Sequence, residues 1–106
     1  MRLKPLGVIS AALAVSLWAG AAAQANELQV KVWAAACATC HGTNGNSVGA
    51  MVRLAGADAK ATLETLLAHK RGERKGTIMH QIARGYSDEQ LAQIANYFAE
   101  IGRAHV

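Results

Sequence analysis

The chain has 106 residues, 52% hydrophobic and 17% charged, with two cysteines, one proline and a formal net charge of +4. At roughly 150 residues per domain that is one domain at most. Without Arg2 and Lys4, which lie in a leader segment, the charge is +2, too mild to argue for nucleic acid as a partner.

Charge and hydrophobicity are unevenly spread. Arg2 and Lys4 stand ahead of a stretch, Pro5 to Asn26, that contains no charged side chain. Its apolar centre, Leu6 to Trp18, gives way to mostly small residues from Ala19 to Ala25. A basic start, an apolar centre and a small-residue end mark a secretory signal peptide. Ala23-Gln24-Ala25 supplies an A-x-A site, so residues 1–25 are expected to be cleaved, with a cut after Ala23 as second choice. An uncleaved anchor wants roughly 20 predominantly apolar residues, and small residues dominate the second half of this run. The expectation is periplasmic export without stable membrane insertion.

The mature domain, 26–106, keeps nine Lys+Arg against seven Asp+Glu, no proline, and only Trp33, Tyr86, Tyr97 and Phe98 as aromatics. Small exported domains of this kind commonly need a disulfide, metal or cofactor to complete the core.

Along the mature chain, Glu27 to Cys37 reads as a helix, with Leu28, Val32 and Ala35 or Ala36 at helical spacing and Val30 and Trp33 beside them. It runs into Cys37-Ala38-Thr39-Cys40-His41, a C-x-x-C-H segment. That is the attachment signature of c-type haem. Two thiols at this spacing can add to the two vinyl groups of a porphyrin. The histidine directly after them is then held at the iron as an axial ligand. A thiol redox pair needs no such histidine and normally sits near a βαβ pattern, and no strand pattern is present. A zinc site would want four ligands, yet His69, His80 and His105 stand at no standard spacing from the cysteines. Haem is the reading that uses every residue of the motif.

His41 to Asn46 is a turn-rich loop, because glycine and asparagine accept left-handed backbone. Asp58 caps a helix through Arg71, with Leu63, Leu66 and Leu67 on one face and Gly72 as its stop. Thr77 caps a short helix carrying Ile78, Met79, Ile82 and Ala83, ended by Gly85. Ser87-Asp88-Glu89-Gln90 is a capping box. It opens an amphipathic helix with Leu91, Ile94, Ala95, Phe98 and Ile101 on one face and Gly102 at its end. The fold class is all-α, about four helices around one haem.

A second axial ligand has several candidates: Met51, Met79, His69, His80 and His105. Met79 follows His41 by 38 residues and Met51 by ten. At ~3.3 Å per residue, reach excludes neither. Methionine is more commonly core filler, and His80 beside Met79 cannot face the iron together with it. Met79 is the first choice among them.

These residues resemble a known family. An N-terminal helix into C-x-x-C-H-G, a Leu54-Ala55-Gly56 segment, a methionine and a final amphipathic helix with an aromatic pair are similar to class I c-type cytochromes. Thr77 to Gln90, through Tyr97-Phe98-Ala99, looks like the cytochrome subunit of flavocytochrome c sulfide dehydrogenase. The resemblance implies thioethers at Cys37 and Cys40, a proximal ligand at His41 and a distal ligand at Met79. It implies Tyr97-Phe98 packed near the N-terminal helix on Trp33, and a flavoprotein as redox partner. The family usually has proline two residues before Leu-Ala-Gly, where its carbonyl accepts a bond from the proximal imidazole. Here Val52 stands there, with its φ unlocked.

His69 to Lys75 is the densest charged run. Such runs are normally solvated, and this one also suits the steering of an acidic redox partner. The expected function is electron transfer rather than enzymatic catalysis, by a subunit of a sulfide-oxidising flavoprotein or by a freely diffusing carrier. The rival class is a ligand-binding or peroxidatic haem protein with open iron.

Overall fold

The structure, a computed structural model, describes residues 26–104. The leader expected over 1–25, its cleavage site and His105 lie outside them. The described residues form helices and no strand. They are α1 (26–41), a 3-10 turn at Thr43–Gly45, α2 (Ala59–Lys70), α3 (Met79–Arg84) and α4 (Asp88–Ala104).

Helix α1 outruns the Glu27 to Cys37 expected of it and carries the whole C-x-x-C-H segment in its last turns. Nothing between Cys37 and His41 opposes a helix. The stop is Gly42 at φ 87°, whose N–H still donates to the Ala38 carbonyl at 2.9 Å. The buried face also differs from the one expected. Leu28 and Val32 are each 62% exposed, whereas Ala34 is buried and Trp33 and Cys37 pack on the core. Both stripes have helical spacing, so spacing alone could not choose between them.

Asp58 caps α2 as expected, its carboxylate accepting from the Ala61 N–H at 2.9 Å. Gly72, at φ 77°, turns the chain back so that the Glu73 and Arg74 N–H groups both donate to the Ala68 carbonyl. Thr77 makes no cap. Ile78 occupies that position without a side-chain hydrogen bond, and its carbonyl accepts from Gln81 and Ile82 instead.

The capping box of α4 is fully formed. Ser87 N–H donates to Gln90 Oε1 at 2.8 Å, and Gln90 N–H donates to Ser87 Oγ at 3.1 Å. Leu91, Ile94, Ala95 and Phe98 are buried along one face. The helix passes through Gly102 to Ala104, since an interior glycine costs only about 1 kcal/mol. Trp33 meets Tyr86 edge to face at 6.2 Å, while Tyr97 pairs with Phe98. Tyr86, rather than the Tyr97-Phe98 pair, is thus the ring partner of Trp33.

Candidate haem site

His41 ends α1 and is buried. Its Nδ1 lies 2.6 Å from the Val52 carbonyl, which has no proton to give, so Nδ1–H donates. That bond fixes the tautomer and leaves the Nε2 lone pair free. Nε2 is itself buried and has no hydrogen-bond partner. A buried polar atom left unpaired costs about 1–3 kcal/mol. A metal at Nε2 removes the cost, and a backbone carbonyl behind the imidazole is the usual support of a ligating histidine.

Valine thus provides the carbonyl where proline would have stood. The stiffness comes from elsewhere. Leu54 and Ala55 N–H groups donate to the Gly45 carbonyl at 2.9 and 3.1 Å, tying the segment after Val52 to the loop after His41. Gly45 sits at φ 76° against Phe98, where a Cβ would come within 2.7 Å of the ring. Only glycine fits there. The second strut is Gly56, whose N–H donates to the Phe98 carbonyl at 2.9 Å.

In front of His41 lies a cavity of about 860 Å³. Small-molecule sites span roughly 300–1,000 Å³. Cys37, Cys40, His41 and Met79 all border it, among largely apolar walls that include Trp33, Leu66 and Ile94. Both cysteines are free thiols. Burial pushes the Cys37 thiol pKa up, opposite to the shift that activates a redox thiolate. Among the described residues no three His, Cys, Asp or Glu side chains gather as a metal site of their own. Two thiols, one pre-oriented imidazole and a wide apolar slot fit haem.

The structure brings Met51 to the same cavity as Met79, and His69 with them, while His80 is not among its lining residues. α2 furnishes a wall through Thr62, Thr65, Leu66 and His69, a stripe at helical spacing that shares only Leu66 with the Leu63, Leu66 and Leu67 face expected from the sequence. Ile78 and Ile82 border the cavity from α3, Ile78 at 53% exposure.

Comparison with known proteins agrees with this geometry. The family model described as Cytochrome c matches residues 30–101. The cytochrome subunit of sulfide dehydrogenase from Chlorobaculum tepidum is 32% identical over 77 residues, 73% of this chain and 70% of that protein. The thiosulfate dehydrogenase electron acceptor of Stutzerimonas stutzeri is 39% identical over 71 residues, 63% of this chain but 33% of that longer protein. Cytochrome c-554(548) of Halomonas halodenitrificans is 36% identical over 67 residues, 59% of this chain and 81% of its own length.

Proposed function

The chain belongs to the cytochrome c family, an electron-transfer protein with covalent haem c and a redox protein as partner, and from that premise we propose its ligands and its place. Cys37 and Cys40 carry the thioethers, His41 Nε2 is the proximal ligand, and Met79 Sδ is the distal ligand. The observation that carries this reading is the orphaned Nε2 of His41, with Nδ1 spent on Val52, at a cavity that both thiols border.

When bound, the haem supplies one-electron exchange between ferric and ferrous iron. The protein's residues do the rest. Val52 holds the imidazole in one tautomer and orientation. Met51 adjoins the carbonyl that braces His41 from behind, which argues against its reaching the opposite face. Met79, at the start of α3, is half-buried and borders the cavity from another element. A thioether is soft, favours ferrous iron and carries no proton to lose, which suits a carrier of fixed potential. Filling both axial positions keeps exogenous ligands off the iron.

We place the protein in the periplasm, with residues 1–25 removed, on the strength of the leader pattern. Among the described residues no helix is long and apolar enough to cross a membrane. We infer that its partner is a flavoprotein that oxidises sulfide; the name of the Chlorobaculum relative, a sulfide dehydrogenase subunit, supports the sulfide part of that reading. Exposed Arg71, Arg74 and Lys75, of which Arg74 borders the cavity, favour an acidic docking face and speed association more than they tighten it.

The Met79→Ala variant tests the ligand set. It should lose the weak red-region iron–sulfur band of the ferric protein, lower the potential and admit carbon monoxide to the reduced iron. Met51→Ala and His80→Ala should keep the band. Loss of the band in either of those two, with Met79→Ala unaffected, would overturn the assignment. Co-purification of a flavoprotein tests the partner; its absence points to a freely diffusing carrier.

A further inference from the structure

Two buried side-chain nitrogens among the described residues have no hydrogen-bond partner, and both belong to histidines that border the haem cavity. His41 Nε2 is accounted for by the iron. His69 Nδ1 is not. His69 stands in the last turn of α2 and is 8% exposed, as deeply buried as His41. A buried nitrogen left unpaired is destabilising. The neighbourhood is built around the ring nonetheless. A Cβ at Gly76 would approach His69 Cε1 to 3.0 Å and Nδ1 to 3.5 Å, so the lack of a side chain there is what makes room for the imidazole.

Among the described residues no protein group partners Nδ1, and the cavity that His69 borders is the haem's. Haem offers the iron and two propionate carboxylates. With His41 and Met79 on the iron, the carboxylates are the acceptors left. The surroundings favour one. Gly72 reverses the chain at the end of α2, and the bonds from residues 73 and 74 to the Ala68 carbonyl fold Arg74 back beside His69. Arg74 borders the same cavity. The C-terminus of α2 carries negative partial charge that opposes a carboxylate, and the guanidinium offsets it.

We propose that His69 is a cofactor-binding residue, donating from Nδ1–H to a haem propionate at a corner of the cavity that Arg74 neutralises. This rests on the haem site described above. The donation is a charge-assisted bond, roughly twice as strong as a neutral one.

The test uses exported holoprotein in three forms: wild type, His69→Phe and His69→Gln. A pyridine haemochrome assay on the wild type checks the underlying haem reading separately, and on each variant it confirms that haem is retained. The propionate bending band in the resonance Raman spectrum should shift in His69→Phe and return towards its wild-type position in His69→Gln, which keeps a donor. An unshifted band in haem-replete His69→Phe overturns the proposal. Absence of the iron–sulfur band from the wild type, with gain of high-spin iron in His69→Phe and none in Met79→Ala, overturns it in favour of iron ligation by His69. Should His69→Phe fail to fold, nitrogen-15 NMR of the ferrous wild type decides. A proton on Nδ1 protected from solvent exchange supports the donor role, and a bare Nδ1 overturns it.

Discussion

The α1–α4 half of the molecule and the α2–α3 half are built on different economies. Ala34, Leu91, Ile94, Ala95 and Phe98 are buried against protein, and they lie on α1 and α4 alone. On α2 the buried side chain is His69, and on α3 it is Ala83; the leucines of α2 are only half-buried. The apolar residues of α4 gather on one face, whereas those of α2 are scattered round the helix. α1 and α4 pack on each other, whereas α2 packs on α3 and α4 and turns Thr62, Thr65, Leu66 and His69 to the haem cavity. A helix whose partner is a flat macrocycle needs only a few side chains turned towards it, with polar ones admitted where the macrocycle is polar.

The harshest way to break this comparison is to remove the attachment. With Cys37→Ala and Cys40→Ala together, covalent haem should disappear from denaturing gels stained for peroxidase activity. The same apo-protein should lack a cooperative thermal transition, because ligation supplies folding free energy in metallo-domains. Hydrogen exchange should then show α2 and α3 deprotected more than α4. Equal loss in all helices would mean that α4 has no stability of its own.

The second prediction strikes the other half. Phe98→Ala should cost about 3–5 kcal/mol in the holoprotein, as measured by denaturant unfolding followed at the haem. Its effect should reach the site, because Phe98 buttresses Gly45 and its carbonyl accepts from Gly56. A milder probe belongs to α2. Asp58→Ala removes the cap on Ala61 N–H and should cost about 1 kcal/mol, with haem spectra unchanged. A spectral change there would mean that α2 is held less by haem than its packing indicates.

The smallest expected effect joins the two halves. Lys70 Nζ donates to Asp88 Oδ1 at 2.7 Å, the ion pair that links the end of α2 to the start of α4. The hydrogen bond from Lys70, then its charge, hold the Asp88 carboxyl below its ordinary pKa. A carboxylate depressed on folding stabilises the protein above its unfolded pKa, and that contribution is lost as pH falls through the folded one. Lys70→Met should therefore weaken acid dependence slightly in that low-pH window and leave neutral-pH unfolding almost unchanged, since solvent screens so exposed a pair. Thermal melts at a series of acid pH values measure it.

The sequence by itself determined the elements whose causes are local. The C-x-x-C-H spacing specifies haem through covalent chemistry, whatever surrounds it. The Asp58 cap, the Ser87–Gln90 box and the buried stripe of α4 follow from backbone groups and periodicities only a few residues apart. Tertiary structure decided what depends on partners distant in the chain. Leu28 and Val32 lost to Ala34 and Trp33 because two stripes of equal spacing compete and only packing against α4 separates them. The rigidity behind His41 passed from a missing proline to Gly45, through bonds and a ring contact that join three separate segments. In the sequence His69 is one of several ligand candidates and also the first residue of a basic run. Its burial follows from the reversal at Gly72 and the bare backbone of Gly76, neither of which has meaning until the chain has folded over it.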